Sequence, residues 1–176
     1  MKRSLVWAGI LGCSFLSASA SAQDIAELDE HLRFLEPLIG HQWEGGFIGE
    51  GPDVVISLRF EPVLAGRAVK YTREVAALGY VSETHFYWSP NRGEVLFLAL
   101  NSRGIVGEGV ASIQGGAIVL SGVDHWPEGS FESKTLLHLD EDGVLKDTFT
   151  RKENGEWVPG HIQEFIAKNS LGAGGA

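Results

Sequence analysis

The sequence predicts an all-β protein, a roughly ten-stranded antiparallel up-and-down barrel preceded by one N-terminal α-helix. Three observations predict it. Short apolar or alternating runs recur from His41 to Ala167 at the spacing of about 8–12 residues that marks successive strands. Turn chemistry separates most of them, as in Ser89-Pro90-Asn91-Arg92-Gly93, Asn101-Ser102-Arg103-Gly104, Gln114-Gly115-Gly116, Asp140-Glu141-Asp142-Gly143 and Glu153-Asn154-Gly155. No helical run lies between strands to carry a parallel crossover, so neighbours pair antiparallel. Such a series leaves two free edges unless it closes on itself.

Residues 1–22 carry the pattern of a secretory signal. Lys2 and Arg3 form a positive head, Leu5 to Leu16 is an apolar run too short to span a bilayer, and Ala20-Ser21-Ala22 is a cleavage site before Gln23. The reading is a periplasmic or secreted protein with no transmembrane span after processing. Ile10-Leu11-Gly12-Cys13 also resembles a lipobox, so lipidation at Cys13 is the alternative route. Cleavage removes two cations and no acid, which moves the net charge from −9 to −11. Phosphate backbones repel such a chain, so nucleic acid is not an expected partner. Cys13 is the one cysteine, so the processed chain has neither a disulfide nor a thiol nucleophile.

Asp24–Leu35 reads as an amphipathic helix, with Ile25, Leu28, Leu32 and Leu35 on one stripe and acids near its start. Pro37 is expected to stop it, and Gly40 to permit the bend into the first strand. Trp43 then supplies a plate able to plug one end of the barrel. The strands are placed at His41–Ile48, Asp53–Glu61, Ala68–Val75, Tyr80–Trp88 and Glu94–Leu100, then at Ile105–Ile113, Ala117–Val123, Glu132–Leu139, Val144–Lys152 and Glu156–Ala167. Asp124-His125-Trp126-Pro127 reads as a long hairpin loop or a flap at the mouth. The tail 169–176, rich in Gly and Ala, is expected to be disordered, and residues 23–168 to form one domain.

Pro37-Leu38-Ile39-Gly40 with Trp43-Glu44-Gly45 resembles the opening of DUF1579-type secreted bacterial proteins. Glu83-Thr84 with Trp88, and Gly155-Glu156-Trp157-Val158-Pro159-Gly160-His161, are similar to the same group. The resemblance runs from about Leu35 to Phe165. It implies a calycin-like barrel, related in shape to lipocalins, fatty-acid-binding proteins and nitrobindins, and it implies no chemistry. Two residues separate Gly40 from Trp43, unlike the single one in the Gly-x-Trp of lipocalins. The surroundings of His161 do not match the nitrobindin haem motif, and no cofactor is expected.

No nucleophile elbow, zinc-protease helix or phosphate loop is present. Candidate chemistry therefore rests on polar residues of strands. Period-two geometry puts Val81, Glu83, His85 and Tyr87 on one face of the fourth strand, and Tyr80, Ser82, Thr84, Phe86 and Trp88 on the other. Tyr71 and Arg73 share a face of the third strand, so Arg73 is expected near Glu83 or His85. Glu108 lies between Gly107 and Gly109, which suggests a close approach, and later strands add His138, Arg151 and Glu164.

The candidate ligand-binding set is Tyr71, Arg73, Glu83, His85, Tyr87, Glu108 and Arg151. It would orient a carboxylate or hydroxyl within walls supplied by Trp43, Phe60, Phe86, Trp88, Phe97 and Phe149. The bland reading places the charged members on the solvent face. The six histidines show no ligand spacing, so no metal is expected. Three functions stay open: a lumenal binder of a small apolar or amphipathic molecule, an enzyme using Glu83 and His85 as acid and base, and a filled structural barrel.

Overall fold

The computed structural model describes residues 27–49 and 53–168. The signal-like segment with Cys13, the first turn expected of the helix, and the tail 169–176 lie outside the described residues. The ten strands are β1 (Gln42–Phe47), β2 (Ile56–Val63), β3 (Ala68–Val75), β4 (Tyr80–Ser89), β5 (Glu94–Asn101), β6 (Val106–Gln114), β7 (Ala117–Trp126), β8 (Gly129–Leu139), β9 (Val144–Glu153) and β10 (Glu156–Lys168). Each pairs antiparallel with its sequence neighbours, and β1 pairs with β10 to close the barrel. All ten coincide with the expected strands to within a few residues.

The N-terminal helix differs from expectation. It is a 3-10 helix over Glu30–Leu38, and it runs through Pro37 instead of stopping before it. Leu32, Leu35 and Leu38 explain why. Three residues per turn stack positions i and i+3, so these leucines form one row, and all three are buried. Asp29 caps the start, its carboxylate accepting from the His31 backbone N–H at 3.1 Å. Pro37 lies in the last turn, and the helix closes after it with the Ile39 N–H donating to the Glu36 carbonyl at 3.1 Å.

This helix covers one end of the barrel. The Asp29 N–H donates to the Gly66 carbonyl in the β2–β3 turn, and His31 stacks on Trp88 at 3.6 Å between ring centroids. It therefore braces the end of the barrel and does not lie along its outer wall. Trp43 sits beneath it, 2% exposed, with its indole N–H donating to the Leu38 carbonyl at 3.1 Å. Gly40 makes the bend between them at a φ of +80°, where a Cβ would be strained. Leu58, Phe60, Val69, Phe86, Leu137, Leu145 and Phe165 join Trp43 and the helix leucines in one cluster, so the helix half of the barrel is a filled core.

The opposite half is defined by which side chains alternate inward. Thr84 and Phe86 are buried, whereas Val81 and Tyr87 are each 39% exposed. Of the two faces of this strand, the one with Ser82, Thr84 and Phe86 therefore points inward, and Glu83, His85 and Tyr87 of the candidate set lie on the outer one. Cross-strand register causes this: Thr84 faces Tyr71 and Phe86 faces Val69, and burial of those partners sets the face. Another correction concerns Asp124-His125-Trp126-Pro127. Trp126 pairs directly with Gly129, so only Pro127 and Glu128 form the turn, and Asp124 is a strand residue opposite Phe131.

Candidate functional site

A cavity of about 520 Å³ occupies the end of the barrel away from the helix. Its base is built on Tyr71, which stacks on core Phe60 at 4.5 Å with the rings 5° from parallel. Phe97, Ala99 and Leu120 line one wall, and Arg73, Asp147 and His161 line another. The exposed side chains of Arg103, Trp126 and Arg151 mark the mouth.

The polar wall comes from three strands. Alternation on β3 sends Tyr71 and Arg73 inward. On β9 it does the same for Leu145, Asp147 and Phe149, so a carboxylate stands between two apolar side chains. Arg73 pairs with Asp147, and its Nε and Nη2 donate to the Tyr71 hydroxyl oxygen at 3.1 and 2.7 Å. Burial opposes the Arg73 charge, yet the Tyr71 oxygen and the Asp147 carboxylate outweigh it and raise its pKa. Burial pushes the Tyr71 hydroxyl up to about 12, so it stays protonated at neutral pH. Removing one partner from such a buried pair costs about 3–5 kcal/mol, because the other charge is left uncompensated.

His161 enters from β10 within the irregularity between Pro159 and Ile162. Its ring stacks on Phe149 at 5.2 Å and meets the edge of Phe47 at 5.8 Å. Burial lowers its pKa, and Asp147 only partly opposes that. The His161 Nε2 lies 3.9 Å from Asp147 Oδ1, too far for a direct hydrogen bond. Both atoms, and Gln163 Oε1, are buried with no partner among the described residues. Such groups cost about 1–3 kcal/mol each, so this wall holds stored polarity in a mostly apolar barrel.

Of the candidate residues named from the sequence, Tyr71, Arg73 and Arg151 line the cavity, together with the expected wall residues Phe97 and Phe149. Trp43, Phe60 and Phe86 belong to the core beneath it, and Trp88 stacks on the helix. Arg73 faces Ser82, and neither Glu83 nor His85. Glu83 and His85 lie together on the outer face, 3.7 Å apart. Glu108 is also outside, 3.5 Å from His125, because Gly107 takes the inward position. His138 is exposed, and Glu164 pairs with Lys146 at 3.0 Å.

Sequence reasoning missed Asp147, Asp124 and Ser133. The available signal was parity: each shares a strand face with apolar residues, Asp147 with Leu145 and Phe149, and Asp124 with Trp126. Among the described residues no three His, Asp or Glu side chains gather as a metal-ligand set. Comparison of the chain with protein-family models gives no match, and comparison with curated proteins gives no similar sequence.

Proposed function

We propose that this chain is an exported barrel protein that holds a small amphipathic molecule in its lumen. The half-filled lumen carries the reading. A cavity of about 520 Å³ with an aromatic wall, a polar wall and an exposed mouth falls within the size and make-up of small-molecule sites. Tyr71 and Arg73 supply the fixed polar surface, Phe97 and Phe149 the apolar one, and Arg151 lies at the entrance. A filled structural barrel would have no such space. Acid–base catalysis by Glu83 and His85 is not carried forward, since the two share the outer, solvent-facing surface.

Export rests on Lys2, Arg3, the Leu5–Leu16 run and Ala20-Ser21-Ala22. The family proposal, a calycin-like DUF1579-type protein, rests on the Pro37–Gly45 and Gly155–His161 stretches and agrees with the barrel. Mass spectrometry of the protein isolated from its own host tests both halves of the reading. Denaturing conditions should give the mass of a chain beginning at Gln23, and native conditions an added small molecule. A chain retaining residues 1–22, or carrying a lipid on Cys13, contradicts cleavage before Gln23. A protein that is empty and indifferent to hydrophobic probes contradicts ligand holding.

A further inference from the structure

The lumen contains one carboxylate that no cation neutralises. Asp124, half-buried on β7, lines the cavity near its mouth, and among the described residues it makes no salt bridge. The cavity arginines are engaged elsewhere. Arg73 is held by Asp147 and Tyr71, and Arg151 by Glu153 at 2.6 Å. Arg103 lies over the Tyr80 ring at 5.4 Å with its head exposed, where water screens it.

The surroundings of Asp124 are specific. Phe131 is its direct cross-strand partner, and Trp126 follows two residues along on the same face, with the two rings 5.9 Å apart. Across the other edge, β6 presents Gly107. A Cβ there would stand 2.5 Å from Asp124 Oδ1, so only glycine leaves the carboxylate its place. Ser133 stands beside it on β8. A carboxylate flanked by two aromatic rings combines the two attractions that recognise an organic ammonium: ion pairing and cation–π contact.

From this juxtaposition we infer that the molecule held in the lumen carries a cationic ammonium head, seated on Asp124 against the Trp126–Phe131 pair, with its apolar part against Phe97 and Leu120. The inference rests on the lumenal reading above and names the chemical class of its ligand. Burial raises the Asp124 pKa, with Ser133 and His125 opposing it. A bound cation would offset that burial cost, so it adds an interaction that a neutral head lacks.

The test displaces an environment-sensitive apolar dye from the purified protein at neutral pH with three probes of equal chain length: octylammonium, octanol and octanoate. Octylammonium should displace the dye at roughly one-tenth the octanol concentration, a difference typical of one added ion pair in a partly dry site. Asp124→Asn, close to Asp in shape and so compatible with Gly107, should abolish that preference and leave octanol unchanged. Glu132→Gln, on the outer face, should leave the preference intact and so exclude general attraction to an acidic protein. If octanoate is strongest, or if Asp124→Asn changes nothing, the ammonium assignment falls and lumenal binding stands. If the dye does not bind, or none of the three probes displaces it, both fall. Circular dichroism of each variant confirms folding, and the wild-type ranking decides even where a variant unfolds.

Discussion

His161 is neutral at physiological pH for a reason visible in its contacts. Two phenyl rings enclose it, and burial outweighs the pull of Asp147, with Arg73 adding to the depression. Its folded pKa is therefore below its unfolded value of about 6.5. Between those values the unfolded chain binds more protons, so stability falls as pH drops through about 6.5 toward the depressed value. Denaturant titrations across that range should show a steeper loss for the wild type than for His161→Phe, which keeps the stacking and cannot titrate. Parallel curves would mean that the imidazole is solvated. At this scale the sequence was only partly legible. The inward parity of Tyr71 and Arg73 could be read directly. The outward turn of Glu83 and His85 could not, because a charge argument that paired Glu83 with Arg73 competed with simple burial of Thr84 and Phe86, and burial prevailed. Asp147 was overlooked although it shares its face of β9 with Leu145 and Phe149.

The strands were legible as elements because turn residues bound them and alternation persists within them. Helix type was not. Leucines at 28, 32 and 35 suit an α-helix, and only Leu38, beyond an unbroken row from Leu32 and Leu35, reveals the three-residue period. Asp124–Pro127 has the composition of a loop, yet register with β8 carries the strand to Trp126. The joint between helix and β1 depends on Trp43, which is enclosed on all sides and hydrogen-bonded to Leu38. Trp43→Ala should therefore lower unfolding free energy by about 3–5 kcal/mol, the range for truncating a buried aromatic. Chemical denaturation measures it, and a loss below about 1 kcal/mol would show that the helix cap does not depend on this plate.

Closure determines what the whole molecule can do. Ten strands leave no free edge, so the sheet cannot recruit another strand. The outer face carries Lys70, Glu83, His85, Glu108, Lys146 and Glu164, charges that a lipid-facing wall would exclude. One end of the interior is packed by Trp43 and the helix, and the other keeps a cavity. This division was legible only as a choice between a filled and a hollow barrel, since strand number fits either.

If the hollow end admits a small molecule, the protein binds an environment-sensitive apolar dye there. Ala99 lines the cavity wall where it meets the core, so Ala99→Trp would place an indole in the lumen, and circular dichroism checks that the variant keeps the barrel. The wild type should bind the dye at one site per chain, and Ala99→Trp should bind it at least about tenfold more weakly. Equal binding by the two proteins, or no binding by the wild type, would contradict a ligand-holding lumen.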